Sequence, residues 1–433
     1  MAPAAHVSKR LGHRSLTVAA RFPASGGRTF TDTTSFPGIA WDLGAQWFHQ
    51  VTPKIGGRPD QTNNPLFDIA VSRRPPIPVF PDLNPRILRN PPTNLLDSPV
   101  PPVFSAVAID VLTAGFEASL GLRRDISSAA ATAELQNQTW YNLVWGLIQT
   151  ALGAGLDVPS CLDFYNLSRK ALLPPVVPSL DNWLIPSGLG TLVTSLARGI
   201  PIMTGTPVTK ISWGGKQGVM LDTSAGTVRA QAVIVTVPLG TLTSGLFEFS
   251  PALPANYLKA LEGLKMGNTD KIGLLFAPNY VFDVPQDNTF VSPYIDQREE
   301  PLVQTRARGH KNFAIVIIGG PQVFDLEAQD ELVDYALEQI VQMFGSRASK
   351  AFKKGVATSW STDPFSFGSY SYAPPGAVPG RKQLARPLAK RIFFAGEAVS
   401  ITSHSSAHGA WETGQDAARN ALAALAGGGN REG

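Results

Sequence analysis

Residues 391–422 read "RIFFAGEAVSITSHSSAHGAWETGQDAARNAL", and this segment sets the frame for the rest of the chain. The apolar run from Ile392 to Ala395 has the length and character of a buried strand. It stops at Gly396, where the missing Cβ lets the backbone approach a flat ring or a phosphate closely. Glu397 follows as an acceptor suited to hydroxyl groups. A serine-rich loop then feeds a helix starting near Ala407, whose N-terminus offers unpaired amides and a positive dipole end. Taken alone, the segment fits an ordinary strand, capping loop and helix equally well.

Elsewhere the chain alternates between strand and helix patterns. "SGGRTFT" (25–31) is a glycine loop and "GIAWDLGAQWFH" (38–49) a strand, turn and strand. Residues 52–104 are so dense in Pro and Asn that irregular surface chain or a linker is expected. The pattern is helical over 105–172, and "PSGLGTLVTSLARGI" (186–200) turns on glycine into a helix. Short strands fill 201–242, a helix and strand follow in "NYLKALEGLKMGNTDKIGLLF" (256–276), and "NFAIVIIGG" (312–320) is a buried strand. No fixed-period repeat is present. The class is α/β plus α+β, with the two ends and the middle sharing one domain.

Composition narrows the function. At 433 residues, two or three domains are expected. A hydrophobic share of 43% against 16% charged supports a large core and excludes global disorder. The net charge of +4 is too mild, and Lys and Arg too scattered, for a nucleic-acid partner. Cys161 is the single cysteine, so neither an internal disulfide nor a cysteine zinc site is available. No His-Glu-x-x-His motif is present, so no metal is expected. The apolar runs fall far short of the roughly 18 residues of a membrane helix. No secretory signal is visible; the compartment stays open, with the cytoplasm favoured. The first thirty-one residues hold no Asp or Glu, a composition shared by transit peptides and by the polar back of a helix.

Four segments in order resemble the flavin-dependent amine oxidases, which include monoamine oxidases, polyamine oxidases and flavin histone demethylases. They are "SGGRTFTD…GIAWDLGAQWFH…NNPLFDIA"; "IPSGLGTLVTSLA…TPVTKI…VIVTVPLGTL…FSPALP…LKMGNTDKIGLLF"; "WSTDPFSFGSYSYAPPG"; and the 391–422 segment. Residues 70–175 carry little of the likeness. The resemblance implies a discontinuous, Rossmann-like FAD-binding domain (1–60, 185–245 and 380–433) beside a mixed sheet-and-helix substrate domain (61–184 and 246–379). It implies non-covalent FAD, a small-molecule amine, molecular oxygen and hydride transfer from the carbon beside the amine nitrogen. Aldehyde and hydrogen peroxide would be the products. It says nothing of oligomeric state.

The resemblance also assigns residues. Lys271 holds a water against the flavin and aids reoxidation by oxygen; the plainer alternative is a lysine at a strand mouth with its head in water. Tyr370 forms one wall of an aromatic cage around the amine, with Tyr372 close by; a tyrosine-rich edge strand is the alternative. Ser406 stands where the opposite cage wall would be, which opens the pocket. His49 faces substrate or is simply structural. Arg28 clamps the cofactor or caps a turn. Gly44 and Ala45 pack against the flavin or form a hairpin. Val208 contacts adenine, Trp360 packs near the flavin, and Gly396, Glu397 and Ala407 hold the cofactor, with the helix start favouring the reduced ring. Ser369 replaces the cysteine that links flavin covalently in some relatives.

One expected part is not recognised. The family opens with a strand, a Gly-x-Gly-x-x-Gly turn and a helix, and roughly 20–30 residues of that unit are absent from the sequence given. Ala20 stands where an acidic residue for the ribose belongs. The rival expectations are therefore a degenerate member without catalysis, a carotenoid-desaturase-like or protoporphyrinogen-oxidase-like flavoprotein acting on carbon skeletons, and an interaction module.

Overall fold

The computed structural model describes residues 17–18, 26–52, 61–82, 102–138, 141–169, 172–173, 177–178, 182–215, 218–284, 287, 289–291 and 301–428. The expectations for Ala20 and for most of the segment before Gly26 lie outside these residues.

The largest sheet has five antiparallel strands in the order Thr289–Val291, Leu302–Thr305, Phe313–Gly319, Thr269–Phe276, Phe352–Ala357. Phe313–Gly319 is buried at every position because both faces of the sheet are covered. Ala314, Val316 and Ile318 alternate onto one face, against Leu332, Ala336 and Ile340 of the helix Leu332–Phe344. Phe313, Ile315 and Ile317 turn to the other, against Phe36 and Trp41. Each such side chain contributes about 1.5–3 kcal/mol on burial. The same alternation puts Asp270 and Ile272 on the helix-covered face and Lys271 on the face toward Trp41.

A second sheet runs Gly226–Ala230, Val219–Thr223, Val208–Ser212, Glu248–Ser250, the last pair parallel. Two further pairs are parallel: Thr17–Val18 with Ile202–Met203, and Val233–Val235 with Ile392–Phe394. The latter is flanked on one side by the helix Ala407–Gly428 through Phe393, Ala417 and Ala421. Its other side joins a core with Leu239, Leu261 and Leu384. Helices Pro102–Ser119, Tyr141–Leu152 and Cys161–Ser168 fill most of the stretch expected to be helical.

The expectation of irregular chain over 52–104 needs correcting within its described part. Residues Pro65–Ser72 form a helix whose Asn64 cap accepts from the amides of Leu66 and Phe67, both at 3.1 Å. Pro65 sits in its first turn, where a missing N–H costs nothing. Phe80–Asp82 is a strand, but on the edge of its sheet, where Pro81 is tolerated. Proline density alone concealed both. Residues 83–101 lie outside the described residues.

Candidate active site

Lys271 comes from the middle sheet, and its side chain is almost wholly buried. Its nitrogen donates to the carbonyls of Gly44 at 2.6 Å and Asp42 at 3.4 Å, and to Oε1 of Gln46 at 2.8 Å. It also lies 5.3 Å above the Trp47 ring. Burial, aided by the charge of Arg308, pushes its pKa down to about 7, against the pull of Asp42. A lysine held this way is poised to gain or lose its proton near neutrality. The sequence-level alternative, a head group in water, is not what the structure shows.

The loop that receives Lys271 is fixed from behind. A Cβ on Gly44 would sit 1.8 Å from the carbonyl oxygen of Arg28, so only glycine fits there, and Ala45 donates its amide to that same oxygen at 3.0 Å. Asp42 is fully buried and accepts from Arg308 at 2.6 Å, Thr31 at 2.5 Å and the amides of Leu189 and Gly190. Those amides open the helix Leu189–Leu196, so its dipole adds to the anchoring. Trp360 donates its indole N–H to the carbonyl of Leu43 at 3.3 Å and packs over Gly44.

Arg28 reaches across to the C-terminal segment, donating to the carbonyl of Ser369 at 2.6 Å and to Glu397 at 3.1 Å. Glu397 also accepts from the amide and hydroxyl of Ser371 and from the amide of Ser405. Although burial acts the other way, Arg28, Arg381 and these hydrogen bonds hold its carboxyl below the ordinary range. With about four lone-pair sites on a carboxylate, Glu397 is already well supplied by protein donors. It ties together Arg28, Ser371 and Ser405.

Tyr370 belongs to the strand Tyr370–Tyr372, paired with Lys265–Gly267. Its hydroxyl donates to Oγ1 of Thr269 at 3.0 Å. Thr269 and Lys271 share a face of their strand, so Tyr370 and Lys271 approach the same side of the sheet. Burial raises the pKa of the phenol, which stays protonated. Tyr372 lies two residues along, on the same face. His49 pairs through Nδ1 with Asn182 at 2.7 Å, and its ring lies 6.1 Å from Trp47. Burial holds it below its usual pKa, hence neutral. Ser406 accepts from the amide of Gly409 and donates to the carbonyl of Ser403, which makes it the cap of the helix that Ala407 begins. Val208 opens a strand of the four-stranded sheet and is not among the residues joined by these contacts.

A narrow crevice of about 20 Å³ is lined by Arg28, Thr236, Val237, Gly396, Glu397 and Val399. Gly396 holds a φ of 128°, which glycine alone adopts freely, and a Cβ there would meet nothing closer than 4.0 Å. Thr236 Oγ1 is buried without a partner in this crevice, and so is Gln46 Nε2 beside Lys271. Buried polar atoms without partners mark places prepared for a group that the protein itself does not supply. These residues fit part of a flavin: a guanidinium at Arg28, an unpartnered hydroxyl at Thr236 and an open backbone at Gly396, while Lys271 and Tyr370 are not among the residues lining the crevice. Among the described residues no cluster of His, Cys, Asp and Glu is set to hold a metal, and no helix is long and apolar enough to cross a membrane.

Sequence reasoning missed Asp42, Gln46, Arg308, Thr236 and Arg381. Arg381 is fully buried and pairs with Asp163 through two bonds of 2.9 Å, while bonding Ser371 and the carbonyl of Ala398. Only Asp42 left a trace, as a lone acidic residue inside the apolar "GIAWDLGAQWF".

The fold is shared with solved amine oxidases. Cyclohexylamine oxidase from Brevibacterium oxydans IH-35A superposes with a TM-score of 0.75 at 20% identity, covering 98% of this chain and 97% of that one. A redesigned putrescine oxidase gives 0.75 at 16%, covering 98% and 96%. The chain belongs to the flavin containing amine oxidoreductase family, whose model matches residues 122–422. It is 30% identical over 329 residues to lysine-specific histone demethylase 1 homolog 1 of Oryza sativa subsp. japonica, covering 73% of this chain and 38% of that protein. It is also 30% identical over 249 residues to probable polyamine oxidase 4 of Arabidopsis thaliana, covering 55% and 48%. The chain spans less than half the length of these curated relatives.

Proposed function

We propose that this protein oxidises amines with FAD as its non-covalent cofactor. The observation that carries the reading is the buried Lys271, its pKa near 7, held on Gly44 and Gln46 in the loop that packs on the backbone of Arg28. Bound FAD would supply a two-electron acceptor for hydride from the carbon next to the substrate nitrogen. Arg28, Thr236 and Gly396 would hold it along the crevice, with Gly44, Ala45, Trp360 and the helix start at Ala407 around the ring. Val208 would meet the adenine. Lys271 would hold a water and exchange a proton with it close to neutral pH. Tyr370 and Tyr372 would present ring faces to the amine, with His49 and Ser406 on the opposite side. The frame 1–60, 185–245 and 380–433 would carry the cofactor, and 61–184 and 246–379 the substrate.

The products on this reading are an aldehyde and hydrogen peroxide, with molecular oxygen consumed. The two kinds of relative suggest two amine classes, free polyamines and alkylated lysine side chains. Purified protein supplied with FAD should show the visible flavin bands. It should then release peroxide with spermine, putrescine, an aryl-alkylamine or a methyl-lysine peptide. Protein that stays colourless with excess FAD, or that binds FAD yet oxidises none of these amines, refutes the reading.

A further inference from the structure

On the face of the central strand opposite Lys271, two carboxyl groups meet. Asp270 is fully buried; its Oδ1 accepts from Thr358 Oγ1 at 2.5 Å and from the amide of Trp360 at 3.1 Å. Its Oδ2 is buried and receives no donor. Glu327, from the helix Gln322–Ala328, accepts from the amide of Ser361 at 3.0 Å and of Thr362 at 2.9 Å. Three consecutive backbone amides, 360 to 362, thus converge on one carboxyl pair. Among the described residues no ion pair to a Lys or Arg balances a second negative charge there. Asp270 is buried and Glu327 half-buried, and two adjacent carboxylates without a cation favour holding one proton between them. The unserved Oδ2 is then accounted for if it carries the proton and donates it to Glu327.

We propose that Asp270 and Glu327 share one proton as an acid–carboxylate pair that clamps residues 360–362, and so act as positioning residues for Trp360 against Gly44 and Lys271. The clamp continues directly to the site. Thr358, which donates to Asp270, accepts from the amide of Lys271 at 2.9 Å, and Trp360 packs over the glycine whose carbonyl receives the lysine nitrogen. The acidities agree with the geometry. Burial and Glu327 push Asp270 well above the ordinary carboxyl range. Glu327 lies below it: burial acts upward, but the hydrogen bonds from Asp270, from the Ser361 amide and from the Thr362 and Ser361 side chains outweigh it. The other titratable groups nearby are Lys271, which turns to the opposite face, Tyr370, whose hydroxyl bonds Thr269, and Asp363 in the clamped loop.

The role in catalysis rests on the reading of an amine oxidase, but the test of the pair needs neither flavin nor amine. In the unfolded chain both carboxyls are ionised at neutral pH, so the folded state binds one proton more. Its extra stability is complete below the ordinary carboxyl range and is lost as pH rises toward the pair's own, higher pKa. Melting temperatures of the wild type and of Asp270→Asn should therefore diverge between pH 5 and 9, the wild type losing ground as pH rises. Asparagine keeps the acceptor for Thr358 and Trp360 and the donor for Glu327 but cannot ionise. Glu327→Gln loses an acceptor for one amide and should melt lower at every pH. Parallel pH curves for wild type and Asp270→Asn overturn the proposal. So does a tolerated Glu327→Gln beside a damaging Asp270→Asn. In protein that binds flavin, Asp270→Leu should lower kcat by about tenfold through misplacement of the site, and Asp270→Asn should restore most of it. Equal loss in both variants also overturns the positioning role.

Discussion

The side-chain nitrogen of Lys271 lies 2.6 Å from the carbonyl oxygen of Gly44, two residues 227 apart in sequence. That contact exists because glycine lets the loop press against the backbone of Arg28, and because the strand alternation aims Lys271 at it. Lys271→Met keeps the length and removes the proton. It should leave flavin content intact and lower turnover by about 100-fold, the usual scale for a lost proton-handling group. Oxygen consumption per bound flavin would measure this, and unchanged turnover would remove Lys271 from the chemistry.

The same lysine sets a pH dependence. Its folded pKa of about 7 lies below the ordinary value of roughly 10.4. The folded state therefore binds fewer protons between these values, and the lysine's contribution to stability grows as pH rises through that window. Amine turnover that depends on neutral Lys271 should rise as pH passes 7. Lys271→Met should flatten both profiles; a wild-type rate profile with no inflection between pH 6 and 8 would contradict the assignment.

Tyr370 divides into a ring and a hydroxyl. Tyr370→Phe loses the hydrogen bond to Thr269, worth about 1 kcal/mol, and keeps the ring face. It should leave kcat/KM for an amine within a few-fold. Tyr370→Leu removes the ring face, and we expect kcat/KM to fall by about tenfold, on the scale of 1–2 kcal/mol for a desolvated cation–π contact. Equal effects of the two variants would show that the ring does not meet substrate.

Arg381 tests the frame. Its pair with Asp163 is buried on both sides, and removing one partner strands a charge, at a cost of about 3–5 kcal/mol. Arg381→Met should lower the melting temperature sharply, and the added change Asp163→Leu should recover part of the loss. A double variant that melts no higher than the single one would mean that the stranded charge is not the cause.

Much of this site was readable beforehand because its residues sit at element ends marked by glycine or by apolar runs. "FFAGE", "GGRT" and "TDKIGLLF" announce a strand end, a loop and a strand; the structure joins the first two through Arg28 and Glu397 and brings Lys271 of the third to Gly44. The contacts linking them were not readable. Asp163 and Arg381 lie in polar surroundings that give no periodic signal, and only folding reveals that each is the other's partner. The helix at Pro65–Ser72 was hidden for the opposite reason: its proline sits at the one helical turn that welcomes it. Asp270 looked like the neighbour of a more interesting lysine, since alternation along a strand separates their roles without changing their spacing.

The Arg28–Glu397 contact spans 369 positions of the chain. During translation Arg28 leaves the ribosome long before its partner exists, by roughly 20–70 s at common elongation rates. The strand Val233–Val235 likewise waits for Ile392–Phe394. The crevice is thus among the last parts of the molecule to close. Any nascent chain released early carries the whole middle sheet together with an open apolar seam, so a premature stop near the C-terminus would yield a substrate for chaperones and proteases rather than a slower enzyme.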